Sequence, residues 1–425
     1  MRAALETASA FVTATRMARP GLSRAAFDHW QHRMLRRWLA RDVRGVRAYQ
    51  GGATELQDLP IRDKATLMAD FAAYNRAGIS ADQAWQAIGD TCRIGDFTVG
   101  ASTGTSGNRG VFVISEPERY RWLGTVLAKT MGGLWGRRQR VAIILPQDTR
   151  LYDSARSLPL MQLRFFDLRS GPENWRTELE AFDPSVLIAP PKLLRHVAQQ
   201  QFRLRPQRIF SAAETLDPMD RSVIETCFGQ ALEQIYMATE GLLAVTCRQG
   251  GLHLAEESMF FEFEPAGNGL VNPVISSFRR QTQILARYRM NDLLRLAERP
   301  CACGSPLRLV EEVVGRVDDC FHLTGAAGPV FLTPDVLRNA ILDSDRRITD
   351  FRLIQVAVDE IELRLTTDLP DEAAQAAATA VDQLLACRQA TCRITQKRAT
   401  LTFDPSRKLR RVECRLGPDM RWAAR

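Results

Sequence analysis

Ser102, Thr103, Gly104, Thr105, Ser106 and Gly107 follow one another directly, just after the apolar run Phe97-Thr98-Val99. Hydroxyls and glycines in unbroken succession suit an anion. Glycine tolerates the φ > 0 backbone that lets successive amides converge, and each hydroxyl adds a donor for a phosphate oxygen. Asn108-Arg109-Gly110 comes next and sets a cation at the edge of the loop. No Lys-Ser/Thr follows the last glycine, so this is not a Walker loop. Taken alone, such a stretch is more often a plain flexible turn. Four further segments stand behind it in order: Ile235-Tyr236-Met237-Ala238-Thr239-Glu240-Gly241, Ala286-Arg287-Tyr288-Arg289-Met290-Asn291-Asp292, Gly315-Arg316-Val317-Asp318-Asp319 and Ser406-Arg407-Lys408-Leu409-Arg410-Arg411. Read singly, Tyr236 is a core aromatic, Asp292 a cap, Asp318 and Asp319 loop acids, and Lys408 part of a solvated basic run.

These segments need a scaffold. The runs Val141–Leu145, Leu163–Phe166, Ser185–Ala189 and Arg208–Ser211 read as strands, the first and third closed by Pro. Helical patterns at Glu173–Phe182 and Asp217–Phe228 alternate with them, which predicts a parallel sheet and α/β architecture. In such sheets ligands lie beyond the carboxyl ends of the strands. Apolar spacing among arginines predicts an amphipathic helix over His29–Val46, and a short helix restarts at Asp63–Phe71. After Gly315-Arg316 a compact α+β unit is expected. Its strands are Phe351–Val358 and Glu360–Thr366, its helix Asp371–Cys387, and its last strand Ala399–Phe403. The expected domains are a large body over 1–316 and a small carboxy-terminal one over 317–425.

At 425 residues, two or three domains are the prior. With 45% hydrophobic and 25% charged residues the chain can bury a substantial core. No apolar run is long enough to span a membrane, and no signal-peptide core forms near the start, so a cytoplasmic protein is expected. Nine cysteines at irregular spacings fit reduced thiols or a metal site better than a disulfide framework. The net charge of +8 is concentrated at Arg36, Arg37, Arg41, Arg44 and Arg47 and at Arg407, Lys408, Arg410 and Arg411. It is open to two readings, a solvated face or attraction of anionic substrates such as nucleotides and coenzyme A. No nucleic-acid module accompanies it.

The order of loop, Tyr-x-x-Thr-Glu, Tyr-Arg-x-x-Asp, Gly-Arg-x-Asp-Asp and late Lys resembles the adenylate-forming superfamily of acyl-CoA and aryl-CoA ligases and peptide-synthetase adenylation domains. Leu59-Pro60-Ile61-Arg62-Asp63-Lys64, Ser211-Ala212-Ala213-Glu214, Gly251-Leu252-His253 and Cys301-Ala302-Cys303-Gly304 are similar to the branch holding phenylacetate–CoA ligases and deazaflavin-adenylylating and capsule-biosynthesis proteins. The resemblance implies an α/β fold with a large multi-sheet body and a small mobile α+β carboxy-terminal domain. It implies that Ser102, Thr103, Gly104, Thr105, Ser106 and Gly107 cradle the phosphates of ATP. Tyr236 would stack near adenine, Thr239 bond the α-phosphate and Glu240 hold magnesium. Asp292 would accept from the ribose hydroxyls, Arg316 approach ribose or phosphate, Asp318 mark a hinge, and Lys408 bring a mobile charge to the reacting groups. Four positions depart from the usual pattern: Arg109 stands for Pro, Met237 for Gly, and Met290-Asn291 for Thr-Gly.

Cys247, His253, Cys301 and Cys303 form a Cys/His set able to close a tetrahedral zinc site with no open position, and hence a structural one. A buried thiol and a core histidine are the plain alternative. Nothing around Cys301 or Cys303 marks an activated thiolate. The other six cysteines read as small apolar residues.

The function implied is ATP-dependent activation of a carboxylic acid, aromatic by resemblance, and transfer to a thiol such as coenzyme A. A carrier protein or a cofactor hydroxyl is the alternative acceptor, and a catalytically silent nucleotide-binding protein the other class. A homodimer is common in the branch it resembles.

Overall fold

The computed structural model describes residues 2–102, 109–132, 138–146, 152, 155, 160–401, 403–404 and 408–417. The chain is mixed α/β and divides into two compact units. The first is Met1–Met290 with Arg295–Glu312 and Pro405–Arg407; the second is Asn291–Leu294, Val313–Asp404 and Lys408–Arg425.

A parallel sheet forms the heart of the first unit. Its strands run in the order Met161–Asp167, Gln139–Leu145, Val186–Ala189, Arg208–Ala212 and Glu233–Ala238. Val141, Ala142, Ile143 and Ile144 are all buried, as expected of a strand covered on both faces. Helices Pro172–Phe182, Pro191–Gln199 and Pro218–Phe228 cross between successive strands. Each opens on a proline, whose missing N–H costs nothing in the first turn of a helix. Beyond Glu233–Ala238 the sheet turns antiparallel through Gly241–Thr246 and Leu252–Leu254, and the latter pairs with the start of Leu309–Arg316. A separate antiparallel hairpin, Phe97–Ala101 with Val111–Ser115, carries the Ser/Gly-rich loop at its tip.

The amino-terminal helix expected over His29–Val46 runs instead from Arg24 to Arg41. Ser23 caps it by accepting from the Ala26 amide at 3.2 Å, and the chain continues as a separate turn of 3₁₀ helix at Val43–Gly45. Capping decided the start, where apolar spacing could not. Among the described residues, no helix is long and apolar enough to cross a membrane.

In the second unit Phe351–Ala357 and Glu360–Thr366 form an antiparallel pair, flanked by parallel strands Arg393–Ala399 and Val412–Cys414. Helices Pro334–Ser344 and Asp371–Cys387 pack their apolar sides into one core with Phe321, Phe351, Leu363 and Val381. The strand expected at Ala399–Phe403 ends where the expectation began it. Arg393, Thr395 and Lys397 conceal the strand in the sequence, and its pairing with Glu360–Thr366 makes it one.

Candidate functional site

Thr239 and Glu240 are the two residues that link strand Glu233–Ala238 to Gly241–Thr246, with Ala238 opposite Gly241. They therefore sit at the carboxyl edge of the parallel sheet, where this architecture places its ligands. Gly241 has φ 139°, a conformation that only glycine adopts without strain, so the turn depends on it. A register shift between Tyr236 and Met237 marks a bulge just ahead of the turn, a device that re-aims side chains. Tyr236 is half-buried. Met237 packs against the core beside Ile235, Leu242 and Ala212. Next along the same edge, Ala213 turns with φ 68°, and the buried Glu214 pairs with Lys192 at 3.3 Å.

The stem of the Ser/Gly-rich loop lies beside this turn. The Ser102 amide donates to the Gly110 carbonyl at 2.8 Å, and the Gly110 amide donates to Ser102 Oγ at 3.0 Å. Arg109 Nε donates to the Ser102 carbonyl at 3.3 Å, and its guanidinium lies over the Trp85 ring at 4.6 Å. Thr103, Gly104, Thr105, Ser106 and Gly107, expected to cradle phosphate, lie outside the described residues. Gly110, Thr239 and Glu240 line one crevice with Lys64, Gln283 and Tyr288.

Lys64 is a cation to which the sequence pattern assigns no role beyond its place in the Leu59–Lys64 segment. It opens helix Lys64–Ala69, capped by Asp63, whose Oδ1 accepts from the Thr66 amide at 2.8 Å. That hydrogen bond, with a second from the Thr66 hydroxyl, lowers the Asp63 pKa. The segment reaches the crevice because Arg62 exchanges backbone hydrogen bonds with Arg287 and Arg289 at 2.9 and 2.7 Å, alongside Tyr288. Only the order Leu-Pro-x-x-Asp-Lys could have flagged it in the sequence.

The loop that brings Gln283 to the crevice rests on Glu118. This buried carboxylate accepts from the Gln281 and Thr282 amides at 2.6 and 3.0 Å and from the Ser115 amide and hydroxyl at 2.9 and 2.5 Å. Thr282 Oγ1 also donates to it, and Arg280 stands 3.7 Å away. The loop so fixed presents Gln283, whose Oε1 accepts from the Val113 amide at 3.1 Å. Burial alone would raise the Glu118 pKa. Arg280 and the hydrogen bonds outweigh it, and the pKa is lowered.

Asp292, Arg316, Asp318 and Lys408 belong to the second unit. Asp292 opens strand Asp292–Leu296 and Arg316 closes Leu309–Arg316, both half-buried. Asp318 accepts from Asn291 Nδ2 at 2.6 Å, and the Val317 amide donates to the Asn291 carbonyl at 3.0 Å. Lys408 is half-buried, four residues before strand Val412–Cys414.

The cysteine and histidine set converges in the first unit. The four ligand atoms of Cys247, His253, Cys301 and Cys303 lie within 4.8 Å of one another. Cys247 and Cys301 sulfurs are 3.6 Å apart, close to the roughly 3.8 Å that tetrahedral bonds of about 2.3 Å to zinc require. Cys303 Sγ is 3.2 Å from His253 Nε2. His253 Nδ1 donates to the Leu307 carbonyl at 2.9 Å, which leaves Nε2 with its lone pair toward the sulfurs. Burial lowers the His253 pKa, so the ring is in its neutral, ligating form. Burial and the neighbouring thiols push Cys303 up to about 12 and burial raises Cys247, whereas hydrogen bonds outweigh burial and lower Cys301, so three thiolates together require a cation among them. Gly251 makes room: a Cβ there would stand 2.7 Å from Cys301 Sγ. The donor set and spacing thus fit zinc. Of the six cysteines read as small apolar residues, Cys320 and Cys414 are buried and Cys227 and Cys387 exposed.

The sequence matches no protein-family model and no curated protein. Solved structures do match. A crystal structure of 2-hydroxyisobutyryl-CoA ligase in the postadenylation state, in complex with R3-HIB-AMP, aligns with a TM-score of 0.70 at 15% identity, over 96% of this chain and 92% of that one. The chain has the fold of an adenylate-forming ligase. Fatty acyl-adenylate ligases from E. coli and L. pneumophila align with a TM-score of 0.50 at 12% identity, over 74% of this chain and 67% of theirs. Amide bond synthetase from Marinactinospora thermotolerans also aligns at 0.50, with 13% identity over 74% and 68%.

Proposed function

We propose that the protein is an ATP-dependent adenylate-forming ligase that activates an aromatic carboxylic acid and transfers it to a thiol, coenzyme A. The observation that carries this reading is the crevice that sets Thr239, Glu240 and Lys64 beside the stem of the Ser/Gly-rich loop, at the carboxyl edge of the sheet. A substrate carboxylate oxygen attacks the α-phosphorus, the bond to the bridging oxygen breaks, and pyrophosphate leaves. The thiolate then attacks the acyl carbonyl and AMP leaves. Thr239 donates to the α-phosphate and Lys64 neutralises the triphosphate. Ser102 and the loop behind it bind the remaining oxygens. Tyr236 packs on adenine, Asp292 accepts from the ribose, Arg316 approaches it, and Lys408 meets charge developing between carboxylate and α-phosphate. Glu240 holds magnesium, which when bound withdraws charge from the phosphate oxygens. Cys247, His253, Cys301 and Cys303 hold a structural zinc ion.

The likeness of Leu59–Lys64, Ser211–Glu214 and the Cys/His set to the phenylacetate-ligase branch supports an aromatic acid. The deciding experiment is pyrophosphate release across benzoate, phenylacetate, 2-hydroxyisobutyrate and acetate, with and without coenzyme A. Release should depend on one of the aromatic acids, and thioester should form only with coenzyme A. Glu240→Ala and Lys408→Ala should each lower release by roughly 10²–10³-fold. Lys64→Ala should raise the KM for ATP by roughly tenfold or more, through loss of a charged contact. ATP binding without release from any acid would favour the catalytically silent reading.

A further inference from the structure

The segment that carries Lys408 is tied down on its carboxyl side by two acids, and both ties lie inside the second unit. Arg411 is buried, and its Nε donates to Asp350 Oδ1 at 2.9 Å. The same oxygen accepts from Arg352 at 2.8 Å and from the Phe351 amide at 3.0 Å. The Leu353 amide donates to the Arg411 carbonyl at 2.7 Å, where strand Val412–Cys414 joins the sheet beside Phe351–Ala357. One residue earlier, Arg410 pairs with Asp319 Oδ1 at 3.3 Å. Asp319 belongs to the Gly315–Asp319 segment next to the hinge position Asp318, so this tie joins the two late motifs directly. Lys408 is two residues from Arg410, and two residues of extended chain span at most about 7 Å. Wherever Asp319 and Asp350 hold the arginines, Lys408 is confined to that radius.

The two ties differ in strength. Burial works against the Asp350 carboxylate, but Arg411 and Arg352 outweigh it and the pKa is lowered. Asp319 is different: burial raises it to about 6 despite Arg410 and Arg316, with Asp318 and Glu413 adding to the rise. Asp350, held by Arg411, Arg352 and the Phe351 amide, is thus the firmer anchor, and Asp319, paired with Arg410 at 3.3 Å, the weaker one. Such an arrangement fixes the base of the segment that carries the lysine.

We propose that Asp350, through Arg411, and Asp319, through Arg410, are positioning residues that hold Lys408 for the adenylation half-reaction and have no part in acyl transfer to the thiol. The inference rests on the adenylate-forming reading above. A purely structural role would disturb both half-reactions alike, whereas a role through Lys408 would disturb only the step in which carboxylate and α-phosphate charge must be met.

The test uses Asp350→Asn and Asp319→Asn in the full chain, beside wild type and Lys408→Ala. ATP–pyrophosphate exchange is measured with the acid from the panel that gives the fastest exchange. Thioester formation is measured separately from that acid's synthetic adenylate and coenzyme A. Exchange should fall at least tenfold in Asp350→Asn and less in Asp319→Asn, through kcat more than KM. Thioester formation from the adenylate should stay within twofold of wild type. Equal losses in both half-reactions, or unchanged exchange, would overturn the proposal. Brief trypsin treatment of the folded protein gives a readout that needs no activity. Cleavage after Lys408 and Arg410 should quicken several-fold in Asp350→Asn, and an unchanged rate would show that the segment is not held by this acid. Failure of wild type to exchange with every acid would instead remove the adenylate-forming reading, while the cleavage rates still decide whether the acids hold the segment.

Discussion

Replacing Glu118 by alanine should lower the free energy of unfolding by about 3–5 kcal/mol, the cost of leaving a buried charge without its partner. Its carboxylate accepts from two backbone amides of the Gln281–Thr282 loop and from the amide and hydroxyl of Ser115, with Arg280 3.7 Å away. Arg280 is half-buried, and burial, its largest influence, lowers its pKa against the pull of Glu118. Alanine at 118 would deprive that guanidinium of its carboxylate, leaving its bond to the Val113 carbonyl at 2.8 Å, and leave the loop amides unsatisfied. The midpoint of urea unfolding at neutral pH measures the loss. A change below about 1 kcal/mol would mean that water replaces the carboxylate at little cost. The pH dependence has a fixed sign. The folded pKa is depressed, so the contribution is present above the ordinary glutamate value and disappears as pH falls through the folded one. The gap between wild type and variant should therefore narrow in acid. Because Glu118 fixes the loop that bears Gln283, the surviving folded fraction should also bind ATP more weakly.

The second large effect is expected at the cysteine cluster. Protein purified without chelator should carry about one zinc ion per chain, bound by three sulfurs and one nitrogen, a set that X-ray absorption distinguishes. Cys301→Ser or His253→Ala should lose the metal. Structural zinc supplies folding free energy outright, so the Tm should fall by roughly 10 °C or more. Gly251→Ala offers a subtler version. Its added methyl would stand 2.7 Å from Cys301 Sγ, so zinc retention should drop although every ligand remains. A stable, metal-free wild-type protein indifferent to chelator would reduce the cluster to packed thiols and a core histidine.

The strands of the parallel sheet were legible because burial on both faces leaves uninterrupted apolar runs, such as Val141–Leu145 closed by Pro146. Asp371–Cys387 was legible because alanine-rich helices keep their period. Arg393–Ala399 was not. An edge strand with alternating Arg, Thr and Lys owes its conformation to the backbone of its neighbour, which no local pattern records. The start of the helix at Arg24 turned on one side-chain cap at Ser23, and caps are single-residue signals that compete with many similar serines.

The sequence by itself determined the α/β class, the Thr239-Glu240 pair after a strand, and the cysteine and histidine types a zinc ion would need. Each of these depends on residue type or on spacing within one segment. Only the tertiary structure decided that Lys64 reaches the crevice of Thr239 and Glu240, that Glu118 braces the loop that brings Gln283 to it, and that Cys247 and His253 meet Cys301 and Cys303. These are contacts between residues tens to hundreds of positions apart. They depend on sheet register and backbone exchange, such as the Arg62 bonds to Arg287 and Arg289, and a linear reading of types and periods carries no register.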